Sequence, residues 1–316
     1  MRNIRLSVVA LAACHLLSPA SAATLSEDFS GDPLQHGWHV FGNTNLFKWN
    51  ATNQNLAVTW DSSQTNSFFY HPLGTILTTN DAFNLQFDLD LQDATAGSYG
   101  SELAIGLLRL ADATGTNFLR TSGTSPNVAE FDYFPPSAIS PSVDATLIDR
   151  SNNFYFAYNT VMLSPGTVYQ VVLTHAADSA TIQGNVFNNG QLVAAMTNVY
   201  ASTVPMTDFR LDVLSVSSYQ DDGFGDTLLA HGTVDNLILT LPAPAVQGLT
   251  GNFSNGSWQA RFLSQTHWLY TLERTSDFQS WTAVSPALEG NDTNLVLSDF
   301  NPPGRGAFYR IMAERP

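Results

Sequence analysis

Apolar and polar residues alternate along most of this chain. Asn84 to Asp90 puts Leu85, Phe87 and Leu89 on one face and Gln86, Asp88 and Asp90 on the other. Phe209 to Val216 repeats the pattern, with Phe209, Leu211 and Val213 against Arg210 and Asp212. A period of two marks a strand with one buried face. Val168 to His175 and Ala180 to Phe187 predict two more strands. Asn188-Asn189-Gly190, between Phe187 and Gln191, predicts a hairpin turn, because Asn and Gly tolerate positive φ. Glu102 to Leu110 is apolar on both faces apart from Glu102 and Arg109, which predicts a strand in mid-sheet. Beyond the first residues no stretch carries a long, capped 3.6-residue pattern. The expected class is all-β.

The pattern changes at both ends. Arg2 and Arg5 precede an apolar run from Leu6 to Leu17, and Ala20-Ser21-Ala22 offers small residues for cleavage. Residues 1–22 therefore read as an export signal, too short to span a bilayer. Near the other end, a predicted strand from His231 to Leu241 runs into Pro242-Ala243-Pro244-Ala245-Val246, a semi-rigid stretch. The expected organisation is a large β-domain over 23–241, a linker over 242–247 and a small β-module over 248–316. The module's expected strands are Ser257 to Phe262, Trp268 to Arg274, Leu295 to Ser298 and Phe308 to Met312.

Charge narrows the partners. The net charge is −15, and no cluster of Lys or Arg interrupts the acidity. Nucleic acids and anionic membrane surfaces both need a basic footprint, so neither is expected. Neutral ligands and divalent cations remain compatible. The single cysteine, Cys14, lies inside the signal. Leu11-Ala12-Ala13-Cys14 matches a lipoprotein cleavage box, but Cys14 sits early and a good cleavage site follows it, so ordinary cleavage is expected. The mature chain would then hold together without disulfides.

The candidate chemistry starts at Asn127-Val128-Ala129-Glu130-Phe131-Asp132-Tyr133-Phe134-Pro135. In a strand, Glu130 and Asp132 share a face. Two neighbouring carboxylates in an apolar setting need water, a cation, a ligand or an arginine such as Arg109, Arg120 or Arg150. Glu130, Asp132 and Tyr133 are the candidate ligand-binding residues. Asp235, with Asp28 or Glu27, can hold a structural Ca²⁺ where the first and last strands meet, or can simply face water. Asp221-Asp222-Gly223-Phe224-Gly225-Asp226 is an acidic turn without the EF-hand pattern. Trp38, Trp49, Trp60 and Tyr133 can stack on sugar rings or fill the core. The histidines are scattered and form no zinc motif. No nucleophile elbow, P-loop or dinucleotide fingerprint occurs.

Three segments taken in order carry a resemblance. Asp28-Phe29-Ser30-Gly31-Asp32-Pro33 with Gly37-Trp38 and Asn55-Leu56-Ala57-Val58 resembles the opening of the concanavalin A-like lectin/glucanase superfamily. Val234-Asp235-Asn236-Leu237-Ile238-Leu239 is similar to its closing strand, and Val128 to Asp132 to its metal or catalytic strand. The resemblance covers most of Leu25 to Leu241 and implies a jelly-roll sandwich whose opening and closing strands pair. It would make Glu130 a glycosidase nucleophile with Asp132 its helper. The acid/base of that motif falls on Pro135, which has no proton to give, so the implied function is recognition without hydrolysis. Tyr270-Thr271-Leu272-Glu273-Arg274-Thr275, Trp281 and Phe308-Tyr309-Arg310-Ile311 loosely resemble fibronectin type III-like modules of secreted bacterial proteins. The chain is read as a secreted carbohydrate-recognition protein without a catalytic cofactor. The alternatives are a glycoside hydrolase or polysaccharide lyase, and a structural or adhesive surface protein.

Overall fold

The computed structural model describes residues 23–97, 102–120, 124–138, 140–201, 203–221, 227–304 and 306–315. The export signal and most of the acidic turn, residues 222–226, lie outside them.

Between residues 23 and 241 the strands form two eight-stranded antiparallel sheets packed face to face. One runs from edge to edge as Gln191–Met196, Ile182–Asn188, Val168–His175, Phe83–Ala96, Leu228–Leu241, Asn55–Asp61 and Phe47–Asn50. Its eighth strand, Ala23–Glu27, pairs with the far half of Leu228–Leu241, Ala23 opposite Leu241 and Glu27 opposite Leu237. The second sheet runs Asn198–Ala201, Phe154–Thr160, Ser142–Ile148, Val128–Phe134, Leu103–Leu108, Leu211–Ser218, Ser67–Leu77 and His39–Phe41. This is the all-β jelly-roll sandwich the sequence predicts, with its opening strand beside its closing one.

Alternation decides what each sheet buries. From Phe83–Ala96 come Leu85, Phe87 and Leu89, all fully buried, and from Val128–Phe134 come Ala129, Phe131 and Tyr133. Phe87 meets Phe131 edge to face across the layer, at 5.8 Å. Trp38 stacks on Phe69 at 4.7 Å, and Trp60 is fully buried in the same core. Leu103–Leu108 is buried on both faces, because a further layer covers the outside of its sheet. The hairpin forms at Asn189 and Gly190, with φ of 49° and 75°.

That outer layer comes from the segment after Leu108. A one-turn helix, Leu110–Ala113, and the residues leading to Arg120 fold back over the second sheet. Ala113 and Phe118 bury against Phe68, Ala104, Val128 and Tyr219 in a second apolar cluster.

After Leu241 the chain crosses residues 242–246 and forms a three-stranded and a four-stranded sheet. They share their own core of Ala260, Phe262, Trp268, Tyr270, Leu272 and Leu297. This region touches the sandwich through Arg315, which pairs with Asp81 and lies 4.2 Å over the Trp268 ring. The Tyr270 hydroxyl also donates to the Ala245 carbonyl at 2.7 Å.

Candidate functional site

The outer face of the second sheet carries two parallel rows of side chains. Cross-strand register aligns His39, Tyr70, Ser215, Gly106, Glu130, Thr146, Phe156 and Tyr200 in one row. The next row holds Phe41, Phe68, Ser217, Ala104, Asp132, Asp144, Tyr158 and Asn198. Polar residues occupy the middle of the sheet and aromatics both ends.

Gly106 makes the middle possible. A Cβ there would lie 2.4 Å from the Ala129 carbonyl oxygen and from Glu130 Cα, so no side chain fits opposite Glu130. Arg120 comes in above it from the covering segment. Its Nε donates to Glu130 Oε1 at 2.5 Å and its Nη2 to Asp132 Oδ2 at 2.9 Å. Glu102 Oε1 lies 3.7 Å from the same Nε. Tyr219 donates to the other Glu130 oxygen at 2.6 Å, and Thr146 to Asp132 Oδ2 at 2.6 Å. All are buried, Glu130 at 1 % exposure and Asp132 at 0 %.

Glu130 and Asp132 thus share a face as the spacing predicts, but the covering segment keeps water from them. Their partner is Arg120. Arg109 instead approaches Asp112, at 4.0 Å. Tyr133 is one residue out of phase and points into the core between the sheets, where its hydroxyl accepts from the Leu163 amide at 3.2 Å. It cannot join the two carboxylates on a common surface. Trp38 and Trp60 are core residues, whereas Trp49 is partly exposed and donates to the Phe29 carbonyl at 2.9 Å.

Charge in this cluster is unbalanced. One guanidinium faces Glu102, Glu130, Asp132 and Asp144, the last directly opposite Asp132. Burial raises the Glu102 carboxyl, with Arg120 opposing. Burial and the neighbouring Glu130 hold Asp132 well above the usual carboxylate range. Burial pushes Asp144 up to about 6, against a Ser142 hydrogen bond and the Arg120 charge. Burial works against the Arg120 charge as well, but Asp132, Glu130 and Glu102 outweigh it and its pKa rises. Glu102 Oε1, Asp132 Oδ1 and Asp144 Oδ1 are buried without a hydrogen-bond partner. Partial protonation answers both problems, since a carboxylic acid carries less charge and gains a donor.

At the rim the same face opens. Phe154, Phe156 and Tyr158 follow one another at 5.3 and 5.8 Å between ring centroids, and Tyr200 stacks on Phe156 at 5.1 Å. Tyr158 is 37 % and Tyr200 57 % exposed. Sequence reasoning missed these rings. Their signal was present, since residues 154, 156 and 158 alternate aromatic with period two.

The proposed metal residues fit poorly. Glu27 accepts from the Phe29 amide at 2.8 Å and from Trp38 Nε1 at 3.0 Å. Asp28 accepts from the Ser30 amide at 3.0 Å, and Asp235 from the Asn236 amide at 2.7 Å. Among the described residues no group of three or more His, Cys, Asp or Glu is arranged to hold a metal ion.

The fold is that of jelly-roll sandwiches. Similar solved structures include alginate lyase Aly36B, 12% identical with a TM-score of 0.40, covering 68% of this chain and 96% of that one. Lectin II from Ulex europaeus is 11% identical with a TM-score of 0.42, covering 70% and 98%. The Emp47p carbohydrate recognition domain is 7% identical with a TM-score of 0.45, covering 71% and 99%. No protein-family model and no curated protein matches the chain.

Proposed function

We propose that this is an exported, non-catalytic carbohydrate-recognition protein. It takes its ligand on the aromatic rim formed by Phe156, Tyr158 and Tyr200. The observation that supports this is the ring row itself: graded in exposure, mounted on adjacent strands and set beside polar side chains. Sugar C–H faces stack on such rings, and rigid strands hold the platform at little entropic cost. Glu130 and Asp132 contribute by fixing Arg120 and the floor of the face, rather than by touching sugar. The acidic surface disfavours polyanions such as nucleic acid and leaves neutral glycans compatible.

The test is a glycan array followed by titration calorimetry. Tyr200→Ala and Tyr158→Ala should each weaken the bound glycan about fivefold to a hundredfold, the loss of roughly 1–3 kcal/mol for one stacking ring. Unchanged binding in both variants would remove the platform from consideration.

A polysaccharide-cleaving enzyme is the second reading. Its support is the gathering of four carboxyl groups around Arg120, three of them, Glu102, Asp132 and Asp144, with raised pKa values, the raw material of acid/base chemistry. Burial under the covering segment opposes it. Turnover on the array-positive sugars, abolished in Glu130→Gln, would establish it.

A further inference from the structure

The chain has 12 Lys and Arg against 27 Asp and Glu. Three of those arginines nevertheless line one cavity. Arg150, Arg210 and Arg315 meet there with His267 around a space of about 470 Å³. It lies where the loops at one end of the sandwich face the region after residue 247.

Some of this charge is answered internally. Arg210 Nη2 is 2.9 Å from Asp208 Oδ2, whose other oxygen accepts from the Thr79 amide and hydroxyl at 3.2 Å. Arg315 pairs with Asp81. Arg150 is exposed and has no ion pair among the described residues. Arg315 is only 6 % exposed, yet its Nε has no hydrogen-bond partner. A buried cationic N–H left without an acceptor is costly. Asp149 lies close as well, accepting from the Thr207 amide and hydroxyl at 2.9 and 3.0 Å, so what the cavity offers is the exposed Arg150 guanidinium and the unused Arg315 Nε.

The geometry points to a binding site for one singly charged oxyanion group, a carboxylate or a sulfate ester. Guanidinium groups present paired N–H donors that match such flat or tetrahedral oxygen arrays. With Asp81, Asp149 and Asp208 close by, the cavity fits a monoanion better than a phosphate monoester, which carries close to two charges. Arg150 serves as the open-side donor, and Arg210 and Arg315 form the wall. This site stands independently of the aromatic rim.

The test is calorimetric titration of the full chain with sodium methyl sulfate, sodium glucuronate and glucose, at ionic strength matched with sodium chloride. Saturable binding of methyl sulfate, glucuronate or both is expected, with none of glucose. Methyl sulfate alone would assign the site to sulfate esters, and glucuronate alone to sugar carboxylates. Arg150→Gln should weaken binding about tenfold or more, as expected for a lost charge-assisted contact. Because Arg150 is exposed and unpaired, that variant should melt like the parent. Tyr200→Ala should bind these probes as the parent does, which separates failure of this site from failure of the rim. Absence of saturable binding by both anions, or undiminished binding in Arg150→Gln, would overturn the proposal.

Discussion

Arg120 is a single cation buried among carboxylates, and its removal should show how much of the cluster is scaffold. Arg120→Met keeps the volume and deletes the charge. At pH 8 it should cost about 3–5 kcal/mol, as for other buried pairs broken from one side. Chemical denaturation at pH 8 and pH 5 checks this, with a smaller loss at pH 5, where the stranded carboxyls can protonate. Asp144 gives a second handle. Its folded pKa of about 6 lies above its ordinary value. The folded state therefore favours the protonated form. Its contribution is complete below pH 4 and is lost as pH rises through about 6. Asp144→Asn should remove that part of the pH dependence, so that variant and parent melting temperatures diverge between pH 5 and 7. Equal slopes would show that Asp144 is ionised throughout. The pairing with Arg120 was only one of several options in the sequence, because it needs residues 109–120 to fold back over a sheet. The inward direction of Tyr133 was legible in the alternation itself, which sets it one residue out of phase with both carboxylates.

Among elements, the pairing of Ala23–Glu27 with Leu228–Leu241 was the most readable feature. Short runs with period two, closed by a strand ending at Pro242, leave few ways to complete a sandwich. The strand Leu103–Leu108 was readable as central because it is apolar on both faces, although its outer cover was not, since nothing in residues 110–120 has strand or long-helix periodicity. Close packing between Leu103–Leu108 and Val128–Phe134 rests on Gly106. Gly106→Ala should destabilise by roughly 1–3 kcal/mol through overpacking, as read from urea midpoints. It should disturb Glu130 first, because the new methyl group would strike the backbone that carries it. A variant as stable as the parent would mean that the two strands can part without loss.

At the scale of the molecule, the sandwich and the strands after residue 247 meet at Arg315 and Asp81. Asp81→Asn leaves a buried guanidinium without its carboxylate, next to a ring it stacks on. We expect calorimetry to show one transition in the parent, and an earlier melting of the region after residue 247 in the variant. Proteolysis at residues 242–246 should rise with it, because among the described residues the hydrogen bonds that Gln265 and Tyr270 add reach only the carbonyls of Ala243, Pro244 and Ala245. Co-melting in the variant would place the coupling elsewhere. The covering segment has a further effect on the outer face of the second sheet. Glu130, Thr146, Ser215 and Ser217 at its middle are sealed, while His39 and Phe41 emerge at one margin and Tyr158 and Tyr200 at the other. The face is therefore two short ledges separated by a dam rather than a through-running trough. A polymer cannot lie across it from side to side. On the proposed reading the Tyr200 ledge then holds only a short stretch of sugar, so short oligosaccharides should bind it with about the affinity of the intact polysaccharide per bound stretch.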